Sequence, residues 1–491
     1  MYLPEWVHNF KEPKTEIKCI KGSFYKYAVS YRYNSQKGRT DKITGHLLGK
    51  ITQETGFIPS QKNLLRTTPS SALRVDIKMF GVYHLFKSLL GKDELDGLLN
   101  LFDKEVSETL ITVAMMRFAH QSPLKRMPYY HAHDYCSQDW LINGIDDKKI
   151  STALKFVGEN RNTLVDWMRT RLGSLDLNLT QFVMIDSTHI PTASENLHIN
   201  AVGYNPSHSF DAQIRLMYIF STQLKQPVYY RLINGNITDM TSMKNCVSEL
   251  QAKHVVYIAD KGFYSKQNII DLRKNELHFI IPLQRNNTLI DLSVLQQPNF
   301  KNTIKTYFIY QNRTIWYYSY QKEELLMVTN LDERLRVEEE NDYLLRTKTH
   351  PDEFTEEKFY KKLSQFGTLT LLYHLEKKSN EQELYIAYKQ RNEVEMVFDS
   401  YKNFLEADKT YMQNRYVMEG WLMANFIAMI AYYRLYTKLR EENLLNKYSP
   451  KDIVEIAKGI YKAKINNKWQ NTEITKKNIE LFAKLNIDYL I

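Results

Sequence analysis

The spacing of hydrophobic and polar positions changes twice along the chain, at about residues 70 and 180. Between these points, apolar residues recur every three or four positions, which is typical of amphipathic helices. The pattern predicts helices at 76–90, 93–102, 107–119 (with Ser107 as N-cap) and 151–172. Before this stretch, residues 24–33 read as a strand that leads into a turn at 36–39.

From residue 180 onward, short apolar strands alternate with helical stretches. The first three predicted strands are joined by short links, and helices separate the strands that follow them. The predicted order is strands at 182–186, 214–220 and 227–233, a helix at 240–250, a strand at 255–260, a helix at 265–274 and a strand at 278–283. This order predicts a mixed sheet with helices packed against it.

Residues 286–375 interrupt the alternation. A β-hairpin is predicted at 306–310 and 314–320, a short charged loop at 338–340 and a helix at 352–366. Helices return at 381–404 and 418–439, and the lysine-rich tail from residue 449 again has a helical pattern.

The bulk composition narrows the class of protein. A chain of 491 residues is expected to form about two to four domains rather than one core. Its net charge of +10 favours a partner that carries phosphate, although a merely basic enzyme would have the same sign. Three scattered cysteines (Cys19, Cys136 and Cys246) favour a reducing compartment. With no signal-peptide pattern and an apolar stretch at 421–436 too short for a membrane span, we expect a soluble, cytoplasmic protein without a membrane partner.

The first 60 residues are basic and rich in tyrosine. Between Lys11 and Lys50 there are ten Lys or Arg and three Asp or Glu, interleaved with the tyrosines of the predicted strand. Basic and aromatic residues in alternation suit a nucleic-acid surface. An exposed strand with a solvated, charged face is the alternative interpretation.

Two aspartates, Asp186 and Asp260, stand at the ends of predicted apolar strands. Side chains at the C-terminal ends of strands project into the crevice at the edge of a sheet, where two carboxylates can hold a hard cation such as Mg²⁺. Gly262 allows a sharp turn or a close ligand directly after Asp260. Each aspartate alone could equally be a turn or N-cap residue.

A polar stripe on the predicted helix at 381–404 adds a third carboxylate. Arg391, Glu395 and Lys402 follow Tyr388 by 3, 7 and 14 residues. At about 100° per residue the four side chains fall within an arc of about 60°. Apolar residues occupy the adjoining arc, so the stripe borders the core. The alternative is a solvated face on which Arg391 and Glu395 form an i,i+4 ion pair.

The spacing Tyr-x2-Arg-x3-Glu-x6-Lys from Tyr388 to Lys402 resembles the signature of DDE-type bacterial insertion-sequence transposases, in the insertion-sequence-four-like group. The segments Val-Met-Ile-Asp-Ser-Thr at 183–188 and Ile-Ala-Asp-Lys-Gly-Phe-Tyr at 258–264 are similar to that family's first and second aspartate motifs. Gly-Asn-Ile-Thr-Asp at 235–239 and the basic start are also similar. The motifs occur in the family's order over about residues 20–440.

The resemblance implies an α/β protein with an RNase H-like core: a mixed five-stranded sheet with helices, interrupted by a β-rich insertion. His189, so close to Asp186, departs from the family pattern, and a packing role is expected for it. The implied division of the chain is a basic N-terminal DNA-binding region (1–60), a helical DNA-binding domain (61–177), the first part of the core (178–285), the β-rich insertion (286–380), the core helices with the catalytic glutamate (381–440) and a helical C-terminal region (441–491).

The resemblance also implies a chemistry. Asp186, Asp260 and Glu395 would be catalytic and would bind two Mg²⁺ ions, for which Mn²⁺ can substitute. The reaction would cut and join double-stranded DNA at the terminal inverted repeats of an insertion sequence. Two protomers would act as a homodimer in a synaptic complex with the DNA ends and target DNA, in a bacterial cytoplasm.

The remaining residues of the stripe would contact DNA. Tyr388, Arg391 and Lys402 would hold the terminal strand of the transposon end. Trp316, in the predicted hairpin, would stack on a base flipped out near the cleavage point, with packing inside the hairpin as the alternative.

Other functions remain open at this stage. The chain could be a non-catalytic DNA-binding protein derived from a transposase, although such a protein would not need three intact carboxylates. It could also be an RNase H-like nuclease that never joins strands, although the stripe suits the holding of a strand end. A structural protein without metal is the remaining alternative.

Overall fold

The computed structural model describes residues 3–35, 37–60, 76–173, 181–194, 196–201, 212–235, 239–250, 252, 255–375, 380–407, 409–410, 412–465 and 467–489. At 239–241, 244 and 392–394 only the backbone is described. The chain divides into two compact units, Met1–Asp76 with Lys464–Asn466, and Ile77–Ala463 with Asn467–Ile491.

The first unit contains a four-stranded antiparallel sheet whose neighbours in sequence are neighbours in space. Its elements are α1 (Glu5–His8), β1 (Thr15–Ile20), β2 (Ser23–Asn34), β3 (Arg39–Thr52) and β4 (Gly56–Pro59). The tyrosine-rich stretch predicted as a strand lies in β2, so that prediction is confirmed. In the following turn, Gly38 has a φ of +60°, which glycine adopts readily; Gln36 lies outside the described residues.

The second unit begins with helices, as predicted: α2 (Gly81–Leu90), α3 (Lys92–Leu99), α4 (Lys104–His120), α5 (Met127–His133), α6 (Asp147–Glu159) and α7 (Arg161–Gly173). Three details of the predicted helices were wrong. The chain before α2 forms a strand, β5 (Asp76–Met79), and the helix predicted at 151–172 is the pair α6 and α7. The N-cap of α4 is Asp103, whose side chain accepts from the Val106 N–H, while Ser107 lies inside the helix.

A mixed sheet of nine strands forms the centre of the second unit. Its strands are β6 (Gln181–Pro191), β7 (Gln213–Ser221), β8 (Gln226–Asn234), β9 (Val255–Ile258), β10 (His278–Pro282), β11 (Tyr307–Tyr310), β12 (Arg313–Lys322), β13 (Leu325–Asp332) and β14 (Thr368–His374). The spatial order is β11-β12-β13-β14-β10-β9-β6-β7-β8. The five strands predicted for the core, β6 to β10, lie side by side. The sheet is larger than predicted because β14 pairs with β10, and β13, β12 and β11 extend the sheet from there. This pairing covers an edge that would otherwise expose unpaired backbone groups.

Helices connect the strands as the sequence predicted. α8 (Asp239–Leu250) lies between β8 and β9, and α9 (Lys266–Lys274) lies between β9 and β10. Residues 236–238 of the motif at 235–239 lie outside the described residues.

The segment between β10 and the later helices is mixed rather than β-rich. Besides its strands it contains α10 (Phe300–Ile304), α11 (Glu333–Thr349) and α12 (Glu356–Lys362). The charged run at 338–340, predicted as a loop, lies inside α11. Glu338 and Glu340 form i,i+4 ion pairs with Arg334 and Arg336, and such pairs support an exposed helix that shows little apolar periodicity.

The last part of the chain is mostly helical: α13 (Glu381–Lys389), α14 (Asn392–Asp399), a π-helical segment (Ser400–Phe404), α15 (Arg415–Glu441), α16 (Pro450–Lys458) and α17 (Lys476–Lys484). The C-terminal region is not purely helical, because β15 (Tyr461–Ile465) and β16 (Lys468–Asn471) lie between α16 and α17. α15, which contains the long apolar stretch, is buried along most of its length against α4, α6 and β8. No helix in the described part of the chain is long and apolar enough to span a bilayer.

Candidate active site

Strand register brings Asp186 and Asp260 to the same place in the central sheet. β6 and β9 are parallel, with Met184 opposite Ile258, and each aspartate lies two residues beyond its member of that pair. Asp260 follows the end of β9, as predicted. Asp186 was wrongly predicted to end its strand: β6 continues to Pro191 because the residues after Asp186 pair with β7. Both carboxylates therefore lie where the parallel pairing stops, at the crevice beside the sheet.

A backbone hydrogen bond orients Asp186, and aromatic contacts pack α14 against the same face of the sheet. The Ser187 N–H donates to Asp186 Oδ1 at 2.8 Å. Tyr218 on β7 is directly opposite Asp186, and opposite residues of antiparallel strands point to the same face. The buried Tyr218 ring lies 6.0 Å from the ring of Phe398 and 6.1 Å from that of Tyr401. This aromatic contact fixes α14 and the π-helical segment against the face that carries Asp186.

One guanidinium group lies between all three candidate carboxylates. Nη1 of Arg391 is 3.5 Å from Asp186 Oδ2 and 3.8 Å from Asp260 Oδ1, and Nη2 contacts Glu395 Oε1. The Arg391 side chain is 16% exposed, against 21%, 34% and 55% for Asp186, Asp260 and Glu395. The three predicted acidic residues therefore meet around one cation, with Glu395 as the most exposed member.

The electrostatics of the site follow from this arrangement. Burial by itself lowers the pKa of Arg391, but the charges of Asp260, Asp186 and Glu395 and the nearby Tyr388 outweigh it, so the pKa is raised. Burial also raises the pKa of the Tyr388 phenol; Arg391 opposes this shift, and Asp260 and Glu395 reinforce it. Tyr388 is therefore a neutral hydrogen-bonding group beside the carboxylates.

The helical segment that carries these residues is not one regular helix, contrary to the prediction for 381–404. α13 ends two residues before Arg391, which is the N-cap of α14. In the π-helical segment Ser400–Phe404, the Leu405 N–H donates to Ser400 O at 3.2 Å. Arg391 and Glu395 do form the i,i+4 pair that the sequence allowed, but the pair also meets the aspartates. Lys402 is half-buried inside the π-helical segment, a type of turn that is frequent at functional sites.

The surroundings of Trp316 on β12 favour packing over base stacking. Its ring is half-buried and lies 5.2 Å from the Tyr307 ring, with the Lys301 ammonium 5.5 Å from its centre. Its Nε1 donates to Glu333 at 3.2 Å. A role for Trp316 at the cleavage point therefore stays a prediction.

His189, the departure from the family pattern, has a partner on the neighbouring strand. Nη2 of Arg215 donates to His189 Nε2 at 2.8 Å, since a guanidinium has no acceptor. An accepting Nε2 leaves the imidazole neutral in this contact. The interaction agrees with the expected packing role.

Arg117 on α4 is a residue that sequence reasoning missed. It is buried, and it donates to Asn425 Oδ1 at 2.9 Å, to Ser122 O at 3.2 Å and to Leu405 O. Burial lowers the pKa of Arg117 to about 10. Because Leu405 directly follows the π-helical segment, Arg117 anchors the chain next to Lys402. The available signal was a lone arginine inside the apolar run of α4.

The donor set suits Mg²⁺ in type, because carboxylate oxygens are its preferred protein ligands. As arranged in the described part of the chain, no group of three or more His, Cys, Asp or Glu side chains could hold a metal ion. The Arg391 guanidinium contacts each of the three carboxylates. Metal binding at these residues would require Arg391 to give up its contacts.

Comparisons with known proteins bear on the same residues. The family model described as "Transposase DDE domain" matches residues 178–431, a range that includes Asp186, Asp260, Arg391 and Glu395. A search of curated proteins finds no match.

Two solved structures resemble the chain distantly. A piggyBac transposase synaptic complex with hairpin DNA has a TM-score of 0.40 and 11% identity, over 77% of this chain and 79% of that one. A pre-cleavage Mos1 transpososome has a TM-score of 0.14 and 9% identity, over 38% of this chain and 57% of that one. Likenesses at these scores add no information on the site.

Proposed function

Because the chain belongs to the Transposase DDE domain family, we propose that it cuts DNA at the terminal inverted repeats of an insertion sequence and joins the ends to target DNA. The observation that carries this proposal is the meeting of Asp186, Asp260 and Glu395 around one guanidinium. The strand order β8-β7-β6-β9-β10, with three antiparallel strands followed by two parallel ones, supports an RNase H-like core.

The proposed cofactor is Mg²⁺, which Mn²⁺ can replace, held by the three carboxylates. When bound, two ions would activate the attacking hydroxyl and stabilise the leaving oxygen of the phosphodiester. Asp186, oriented by the Ser187 N–H, and Asp260, at the end of β9, are the more sheltered donors. Glu395 is more exposed and would complete the site from α14.

The cationic and phenolic side chains would hold the DNA strand. Arg391 would exchange its carboxylate partners for a phosphate, with which a guanidinium can form two parallel hydrogen bonds. The neutral Tyr388 would donate to a phosphate oxygen, and Lys402 would act as a compact positive charge. Each of these residues would thus act on the DNA end rather than on the metal.

The partner would be double-stranded DNA, bound by a homodimer in a synaptic complex. The basic region 1–60 and the helical domain 61–177 would recognise the repeats, while the core at 178–285 and 381–440 performs the chemistry. The segment 286–380 would be the insertion, and 441–491 a separate C-terminal region.

The test is cleavage of a labelled duplex that carries the element's own terminal repeat, with Mg²⁺ and with EDTA. Asp186→Asn and Glu395→Gln should abolish nicking without weakening DNA binding, because they remove the carboxylates and keep similar shapes. Asp342→Asn, which changes an exposed aspartate of α11 (60% exposed), is the matched control and should cut normally.

Other outcomes decide between the alternatives. Binding of the repeat without any cleavage, unchanged by the substitutions, would identify a non-catalytic DNA-binding protein. Mg²⁺-dependent cutting without strand joining would identify a nuclease.

A further inference from the structure

The strands β2 and β3 extend beyond the sheet of the first unit as a two-stranded arm. β1 pairs with β2 only up to Ala28, and β4 pairs with β3 only from Gly49 onward. Farther out, residues 30–34 pair with residues 39–43, and in the described part of the chain no third strand joins them. A two-stranded hairpin is marginally stable in water by itself, so an arm of this kind gains order from a partner.

Both faces of the arm are open to solvent. Tyr31 is 62% exposed and Tyr33 is 67% exposed, and the two rings lie on one face because they are two residues apart on a strand. Lys42, which is exposed, pairs opposite Tyr31 and shares that face. Ile43, on the other face, is 44% exposed. Tyrosines exposed to this extent next to cations are typical of binding surfaces.

The charge of the arm specifies the chemistry of the partner. The arm and its turn contain Arg32, Lys37, Arg39 and Lys42 but a single acidic residue, Asp41. Asp41 is already engaged, because it accepts from Asn34 Nδ2 at 2.9 Å and lies 3.5 Å from Arg39 Nε. Lys42 lies 3.2 Å from Glu16 Oε1 on β1. Arg32 and Lys37 are therefore the cations of the arm that complement a polyanion.

We propose that this arm enters the major groove of duplex DNA, with the Tyr31 and Tyr33 face toward one wall and with Arg32 and Lys37 on phosphates. The major groove, about 12 Å wide, admits a two-stranded β-ribbon. The proposal rests on the proposed function for the choice of DNA as the ligand, but it does not depend on the three carboxylates. It assigns a contact with DNA to the ten paired residues 30–34 and 39–43 and to Lys37 in the turn that joins them.

The test measures fluorescence anisotropy of a short mixed-sequence duplex titrated with the full chain. Tyr31→Ala with Tyr33→Ala should weaken binding about tenfold, and Arg32→Gln with Lys37→Gln should lower the slope of log affinity against log salt by about two. The matched controls are Tyr360→Ala, 69% exposed on α12, and Arg346→Gln with Lys361→Gln. These controls should change affinity less than about twofold.

Competition identifies the groove. Methyl green, a major-groove ligand, should displace the protein, and netropsin, a minor-groove ligand, should not; the reverse result overturns the groove assignment. Arm variants that bind DNA as the wild type does overturn the proposal. A changed oligomeric state with unchanged DNA affinity would assign the arm to a second copy of this chain instead.

Cleavage in the same preparations keeps the two proposals apart. If the arm variants bind normally while Asp186→Asn alone stops cutting, the arm proposal fails and the proposed function stands. If the wild type binds DNA through the arm but never cuts it, the arm stands and the proposed function fails.

Discussion

Arg391 is the residue that connects the three candidate carboxylates of the site. It contacts Asp186, Asp260 and Glu395, and it is the least exposed member of the group. A guanidinium presents several donors in a rigid fork, so it can meet several carboxylates at once, which a lysine ammonium on a flexible stem does less well. The residue that would hold the DNA strand is thus the one that occupies the carboxylates.

Arg391→Ala should raise the affinity of the DNA-free protein for Mn²⁺, because the substitution removes a competing cation. An increase of about tenfold is expected, equivalent to about 1.4 kcal/mol. Isothermal titration calorimetry measures it directly. Arg346→Ala, which breaks the ion pair with Asp342 in α11, is the control and should leave Mn²⁺ binding unchanged. Equal or weaker binding by Arg391→Ala would show that the arginine does not compete with the metal.

Asp134 should make the stability of the fold depend on pH. Burial raises its pKa to about 7 from an ordinary 3.8, and the Cys136 N–H opposes this only in part. The folded form therefore binds the proton more tightly than the unfolded chain. Stability falls as the pH rises from about 4 to about 7, by about 4 kcal/mol in total.

Asp134→Asn should remove that dependence, because the amide keeps an oxygen acceptor and cannot ionise. The variant should melt at a higher temperature than the wild type at about pH 8 and at nearly the same temperature at about pH 4. Differential scanning calorimetry at both pH values checks this, with the exposed Asp342→Asn as control. A difference that is the same at both pH values would contradict the assignment to Asp134.

At the scale of elements, the contact between α6 and α15 depends on glycine. A Cβ on Gly158 would lie 2.0 Å from Tyr416 O, and one on Gly420 would lie 2.1 Å from Leu154 O. The two helix backbones therefore touch. Because α15 also provides Asn425, the partner of Arg117, this contact helps to position the chain after the π-helical segment.

Gly420→Ala should lower the free energy of unfolding by about 1–3 kcal/mol, because the methyl group meets a backbone carbonyl that cannot move aside. This cost should exceed the gain of about 1 kcal/mol from the better helix propensity of alanine. Gly97→Ala in α3 is the matched control: nothing lies within 4 Å of its added Cβ, so it should gain about 0.5–1 kcal/mol. Urea unfolding measures both, and a Gly420→Ala variant as stable as the wild type would show that the helices separate at no cost.

The elements of the core could be predicted where a local pattern specifies them. β6 to β10 and the helices between them follow from apolar runs and their lengths, and α15 follows from its long apolar stretch. Residues 381–404 could not be divided correctly, because a break of two residues and a π-helical turn barely disturb a helical period. The loop predicted at 338–340 was wrong, because ion pairs rather than an apolar stripe support that part of α11.

At the scale of the whole molecule, the net charge of +10 should govern DNA binding. Affinity for a mixed-sequence duplex should fall by about a thousandfold or more between roughly 50 and 200 mM salt, because bound phosphates release counterions. Anisotropy titrations at several salt concentrations measure the slope. The control keeps the salt at roughly 50 mM and adds sucrose to the osmolality of the 200 mM sample, which should leave binding unchanged. An affinity that does not vary with salt would exclude phosphate contacts as the main source of binding.

The sequence by itself indicated the candidate site residues, because carboxylates at strand ends and the Tyr-Arg-Glu-Lys spacing are local patterns. It also determined the strands of the core, since the period of apolar residues reflects local backbone geometry. Only the tertiary structure decided that Arg391 stands among the carboxylates, that four further strands extend the sheet and that Arg117 anchors the chain after Lys402. Arg391 and Asp186 are 205 residues apart, and Arg117 and Leu405 are 288 apart. Contacts over such separations arise from packing and strand register, which no local periodicity encodes.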